Sequence, residues 1–231
     1  LAASRLRLRE AQRLMRRVVE EHPNDMEALE ALAIWSIHIG DLAAARDVTE
    51  QRASTGLLGG TPPANHMLFA HAPERAAELG REAVARHPDH MEIVYQTHRV
   101  LLWVGDVEGA SRLAARLTLP GENEGRAAIV AMRQACAEGD PGRAEAVFRT
   151  LTLGDDDLAG HWLLLKLLGR NAEADALLER LDWPESLYSL SAWLIYPYFD
   201  VTLYPQLAAV LAAQGVERPP LAFEPYRCAA A

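Results

Sequence analysis

The sequence predicts an all-α fold of stacked, antiparallel helical hairpins, and three observations carry that prediction. A segment recurs: His22-Pro23-Asn24-Asp25-Met26-Glu27 returns as His87-Pro88-Asp89-His90-Met91-Glu92, and Gly40-Asp41 returns as Gly105-Asp106, each displaced by 65 residues. Within that long repeat a shorter one runs, a Gly followed five residues later by an Ala, at Gly40 and Ala45, Gly105 and Ala110, Gly139 and Ala144, and Gly169 and Ala174. Beyond the Ala, except after Ala45, apolar or small residues follow four and then three positions on, as in Ala144, Phe148 and Leu151 or Ala174, Leu178 and Leu181, which is one face of a 3.6-residue period. The Gly ends a first helix in a left-handed conformation, and the small Ala lets the second helix approach closely.

The punctuation then places each element. Residues 5 to 21 read as the second helix of an incomplete unit, stopped by Pro23; Ala11, Met15 and Val18 mark its inner face. Residues 25–39 and 42–53 form a hairpin. Between 53 and 73 the pattern fails, because Gly56, Gly59, Gly60, Pro62 and Pro63 break any long helix and leave a short one around Ala64 to Ala72. That stretch is either a loop that admits a ligand or, the reading its composition favours, a decayed repeat. A second helix follows over 74–86, with Ala76, Gly80 and Ala83 in the periodic positions. The spacing predicts further pairs over 91–104 with 107–118, 124–138 with 141–152, and 156–168 with 171–181. Pro184 starts a helix through about Ile195, Tyr196-Pro197-Tyr198-Phe199-Asp200 turns the chain, and Leu203 to Gln214 forms a last helix stopped by Gly215. The aromatic residues Trp183, Tyr188, Trp193, Tyr196, Tyr198, Phe199 and Tyr204 gather there, either as a recognition patch or, more naturally, as the closure of a terminal core. The tail from Arg218 to Cys228 reads as an extended strap. Domain organisation follows as repeats over 1–184 and capping helices with a tail over 185–231.

The spacing of Gly, Ala, large apolar, small apolar and terminal Pro over roughly residues 5 to 184 resembles the tetratricopeptide repeat (TPR). The match has gaps: the family's early Trp is missing from most units, with Trp162 near its place in the last; Thr49 and Arg52 replace apolar residues; Gly80 leaves a large position empty. The resemblance implies a right-handed superhelix, a TPR-like α-solenoid with a C-terminal capping helix pair, whose concave groove is lined by first helices and binds a peptide or partner protein. The Tyr-Pro-Tyr-Phe-Asp turn and the tail also resemble the C-terminal ends of bacterial regulators that carry such repeats after a signalling or DNA-binding domain. A start at Leu1 without Met fits a processed chain or a fragment, so a covalently linked upstream domain and a regulatory or sensory role form an alternative.

Carried onto this sequence, the groove lining is Glu27, Glu30, Ile34 and His38, then Glu92, Tyr95, Arg99 and Trp103, then Arg126, Ile129 and Arg133, then Leu163 and Lys166. Acidic residues gather at the early end, while Arg99, Arg133 and Lys166 suit a carboxylate such as a peptide C-terminus. Tyr95 and Trp103 are the expected anchors, since aromatic residues dominate binding hot spots; both also suit the core between helices.

Composition narrows the remaining classes. At 231 residues and 50% hydrophobic, the chain can bury a continuous core. Its net charge of -9 disfavours direct nucleic-acid binding. The basic stretch Arg5 to Arg17 reads as a solvated helix face rather than a binding stripe. No apolar run is long enough for membrane insertion. Cys136 and Cys228 lie far apart in different contexts, so a reduced, cytoplasmic chain is expected. No metal or cofactor is expected: His87 and His90 lack an accompanying zinc motif, and Gly56 to Gly60 lacks the Lys and Ser or Thr of a phosphate loop. Asp155, Asp156 and Asp157 read as a helix N-terminus. An enzyme is the least favoured class, and its site would have to lie among His66, His71 and those aspartates; His66 and His71 otherwise read as surface residues.

Overall fold

The computed structural model describes residues 6–56, 60–117, 124–151, 158–218 and 225–228, and all regular structure among them is helical. In chain order the helices are α1 (Leu8–Glu21), α2 (Met26–His38), α3 (Leu42–Ser54), α4 (Pro63–Phe69), α5 (Pro73–Arg86), α6 (Met91–Trp103), α7 (Val107–Leu117), α8 (Glu124–Ala137), α9 (Pro141–Thr150), α10 (Leu158–Leu167), α11 (Asn171–Glu179), α12 (Leu187–Leu190) and α13 (Pro205–Ala212). Two short 3-10 segments, Ser191–Ile195 and Val201–Leu203, lie between α12 and α13. The single helix expected from Pro184 to Ile195 is thus broken into α12 and a 3-10 segment. Ser191 donates its hydroxyl proton to the Tyr188 carbonyl at 2.7 Å within that tightened turn.

The same turn closes hairpin after hairpin. Gly40, Gly105, Gly139 and Gly169 have φ of 77, 77, 75 and 74°. At each, the Gly N–H reaches back three residues and the next N–H five residues, as in Gly105 to Leu102 O (3.1 Å) and Asp106 to Leu101 O (2.9 Å). These are the paired bonds of a Schellman turn, which satisfy helix-end carbonyls that would otherwise lack a donor. The residue after the Gly then starts the next helix: Asp41, Asp106 and Asp140 accept from the N–H groups of Ala44, Gly109 and Arg143. Five residues beyond each Gly, Ala45, Ala110, Ala144 and Ala174 are wholly buried.

A further copy of this turn is hidden in the sequence because its Gly is missing. His71, at φ 62°, takes the glycine's place between α4 and α5; its N–H bonds Leu68 O, Ala72 N–H bonds Met67 O, and Ala76 five residues on is wholly buried. The segment that sequence reasoning treated as decayed is a shortened hairpin. The departures from the repeat are also satisfied locally. Buried Thr49 donates to the Ala45 carbonyl at 2.7 Å. Gly80 leaves room for Thr97, whose side-chain atoms would stand 3.0 Å from any Cβ placed there.

By contacts the chain falls into two units, Leu1–Leu79 with Glu179–Leu221, and Gly80–Leu178 with Ala222–Ala231. This differs from the division at 184 and 185 read from the sequence. In the first unit α2 packs against α1 and α3, and α3 against α4. The C-terminal aromatic segment belongs to this unit: Ile195 and Tyr196 pack on Ile37, Ala45, Phe69 and Ala70, and Phe69 meets the Tyr196 ring edge-on at 5.5 Å. Arg9 donates to the Gln214 and Gly215 carbonyls, tying the end of α13 to α1. In the second unit α6 packs with α7, and α8 with α7, α9, α6 and α10.

The turns generate a test. No atom lies within 4 Å of a Cβ built on Gly105 or Gly139, so replacing either residue strains only the backbone. Gly105→Ala and Gly139→Ala are expected to destabilise by about 1–2 kcal/mol each, and His71→Gly to stabilise by up to a similar amount. Chemical denaturation checks all three variants; a destabilised His71→Gly would contradict the assignment of the fifth turn.

Candidate functional site

The residues assigned to the groove lie on first helices, but they differ widely in exposure. On α2, Glu27 is exposed, Ile34 half-buried and His38 buried. Glu30 is held in a polar cluster. Its carboxylate accepts from the Thr61 N–H at 2.7 Å and from Arg52 Nη2 at 3.3 Å, while Arg52 Nη1 donates to the Thr61 carbonyl at 2.5 Å and to His66 Nδ1 at 3.3 Å. Gly60 (φ 57°) is required beside it, because a Cβ there would come within 1.7 Å of the Glu30 carboxylate. The loop after α3 is therefore clamped onto α2 by a buried guanidinium and a carboxylate that need one another. His66 is buried in this cluster, so the surface reading does not hold for it; His71 is exposed.

His38 faces inward as well. Its ring meets Trp35 edge-on at 5.3 Å. The half-buried Arg218 guanidinium donates to the carbonyls of His38, Leu194 and Tyr196, where the ends of α2 and of the Ser191–Ile195 segment present free acceptors. The expected groove position is thus a core position covered by the C-terminal segment.

In the second unit, α6 brings Tyr95 and Trp103, and α8 brings Arg126 and Ile129, to half-buried positions. The Arg126 guanidinium lies over the Tyr95 ring at 4.7 Å, with Arg133 at 5.5 Å, and Arg126 pairs with Glu92 at 2.9 Å. Cation–π contact orients the ring, while the half-exposed ion pair adds little stability. Arg99, Arg133 and Leu163 are buried, so the first two do not stand free to meet a ligand carboxylate as the sequence suggested. Lys166 bonds Asp175 at 2.7 Å and lies 5.8 Å from the Trp162 ring centre, so its charge is engaged too. Of the thirteen lining residues read from the sequence, Glu92, Tyr95 and Arg126 are brought together, and Trp103 and Ile129 are half-buried on the same two helices.

Sequence reasoning read the tail as a strap but missed what fastens it. Cys228 is disulfide-bonded to Cys136 in the last turn of α8, with Cα atoms 4.5 Å apart. The expectation of a reduced pair is overturned, and with it the argument for a reducing compartment. A separation of 92 residues concealed the pairing; an even cysteine count with none left over was its only signal. Tyr226 is buried against Trp103, ring centres 6.3 Å apart and nearly perpendicular, and the Cys228 N–H donates to the Leu167 carbonyl at the end of α10.

Among the described residues, no group of three or more His, Cys, Asp or Glu is placed to hold a metal ion, and no helix is long and apolar enough to cross a membrane. Asp155, Asp156 and Asp157 lie outside the described residues. His90 ends its segment as a cap, Nδ1 accepting from the Ile93 N–H at 3.5 Å. No family model, no curated protein and no solved structure matches the chain.

Three buried histidines give the structure a defined response to acid. Burial, reinforced by Arg218, lowers His38 to about 3; burial and Arg52 lower His66 to about 3; burial and Arg133 lower His98 to about 4, against a hydrogen bond with Gln134. Below pH 6.5 the unfolded chain takes up protons that these folded imidazoles refuse, so stability is full above that pH and is lost as pH falls toward 3 to 4. Denaturation midpoints are expected to drop between pH 7 and pH 5, a window above most carboxylate titrations, and the drop should shrink in His98→Gln. Equal midpoints at the two pH values would contradict the buried, neutral assignment.

Proposed function

We propose that the chain is a protein-interaction scaffold built on TPR-like hairpins, which binds a peptide or partner protein along its first helices. The observation that carries this reading is the Tyr95 ring, half-buried on α6 and flanked by the guanidiniums of Arg126 and Arg133. A rigid aromatic ring fixed by neighbouring cations is the kind of side chain that concentrates binding energy, because little side-chain entropy is lost when a ligand covers it. Repetition supports the same reading: hairpins that cannot bury their apolar faces alone must stack, and a stack that winds into a superhelix presents its first helices along one wall. Under this proposal, Glu92 and Ile129 flank the Tyr95 anchor and Trp103 continues the face toward the end of α6. The partner's charge pattern is set by the Glu92–Arg126 pair, which offers one acceptor and one donor group side by side. The reading requires no catalytic chemistry and no cofactor.

A displayed peptide library selected on the intact protein tests it. Tyr95→Ala combined with Arg126→Ala should weaken the selected peptides by about tenfold or more, while far-UV circular dichroism stays unchanged. Arg99 is a poor substitute for Arg126 in that pair, because its burial makes Arg99→Ala a stability variant. Undiminished binding by the folded double variant would remove this site.

A further inference from the structure

The tail of the chain meets the face just described at one end, where Tyr226 lies against Trp103. Residues 225–228 alternate in exposure: Pro225 out, Tyr226 in, Arg227 out, Cys228 in. A turn at Pro225 and Tyr226 thus sets two side chains of a short segment against the protein, and one main-chain bond, from the Cys228 N–H to the Leu167 carbonyl, adds to their hold. Each inward group meets the C-terminal end of a different first helix. Tyr226 takes Trp103 at the end of α6, the Cys228 sulfur takes Cys136 in the last turn of α8, and the Cys228 N–H takes the Leu167 carbonyl at the end of α10. The last contact satisfies a helix-end acceptor that a bound peptide would otherwise have to serve.

Resting on the peptide-face reading above, we propose that residues 225–228 are a self-bound ligand of that face, latched by the Cys136–Cys228 disulfide, and that reduction of the bond admits an incoming peptide. The incoming segment has the chemistry of the tail it replaces, a short non-helical segment with an aromatic residue and a small or thiol side chain two positions on. Tyr95 stands eight residues before Trp103, about 12 Å along α6, so such a segment can begin at the Tyr95 anchor and end where Tyr226 now lies.

The chemistry balances with one dithiol reductant. A thiolate of the reductant attacks one sulfur, the Cys136–Cys228 bond breaks, and a mixed disulfide forms. The reductant's second thiol then displaces it, so two electrons and two protons pass to the protein, leaving two thiols, and the reductant departs as its own disulfide. Only the tail needs to move, because Cys136 belongs to a helix and Cys228 to a segment outside any helix. Tethering explains why the tail excludes competitors while the bond is intact: a covalently held ligand has an effective concentration that a free peptide does not reach.

The test uses the full chain, oxidised or treated with dithiothreitol, and reads amide hydrogen exchange by mass spectrometry. Reduction should speed exchange at Tyr226 and Cys228 about tenfold or more while the core of α8 near Val130 and Met132 stays protected. Cys228→Ser should show the fast rate without reductant and gain nothing from it. A fluorescent peptide Phe-Glu-Pro-Tyr-Arg-Ser should bind the reduced chain and the Cys228→Ser variant at least about tenfold more tightly than the oxidised chain, and its Tyr→Ala analogue should bind neither. Tail amides equally slow after the bond is cut overturn the latch. Loss of protection throughout α8 overturns it too, by making the bond a structural staple. Peptide bound equally in both redox states overturns the gate and leaves the peptide face standing; a released tail with no peptide bound in either state removes both.

Discussion

The structure depends on how closely two helices can approach across a turn of minimal length. A residue with positive φ ends the first helix, and an alanine with no exposed surface sits five residues later, where any larger side chain would push the second helix away. Gly40 with Ala45, Gly105 with Ala110, Gly139 with Ala144 and Gly169 with Ala174 repeat that arrangement, and His71 with Ala76 repeats it without a glycine. Because the turn is short, each hairpin exposes a wide apolar surface, and the next helices must cover it. Everything that lines the candidate site inherits its position from this spacing.

Local elements were legible in the sequence for the same reason. Glycine and proline punctuation, with aspartate caps, placed α1 to α11 within a few residues of where they lie. The interruptions were less legible. His71 hid a turn because the backbone conformation, not the residue type, makes it, and Arg52 hid a core position because its charge is matched by Glu30 and loop carbonyls from elsewhere in the chain. The site was only partly legible. Helical periodicity put Arg99, Arg133, Leu163 and His38 on the same rows as Tyr95 and Glu27, but periodicity does not say which row a later segment covers. Arg218 and the strap through Tyr226 and Cys228 are such segments, with 180 residues between Arg218 and His38 and 92 between Cys228 and Cys136.

Folding the C-terminal part back has two physical effects. In the first unit it supplies Ile195 and Tyr196 to the core that Ile37, Ala45 and Phe69 begin, and Arg218 neutralises exposed helix-end carbonyls. In the second, the tail covers part of Trp103 with Tyr226 and bonds Cys136 through Cys228. Tyr95, Arg126 and Glu92 stay half-exposed, while the Trp103 end of the same helix is partly covered by the chain itself.

The close approach of paired helices is measured most directly by enlarging the contact residue. Unfolding free energies would be compared for Ala45→Leu, Ala110→Leu and Ala174→Leu and for Leu placed at the exposed positions Ala43, Ala115 and Ala172 on the same helices. Overpacking should cost about 1–3 kcal/mol at each buried alanine, against changes within about 0.5 kcal/mol at the exposed ones. Equal tolerance at both sets would mean that the hairpins do not depend on small residues at their crossing, and the account built on that contact would be wrong.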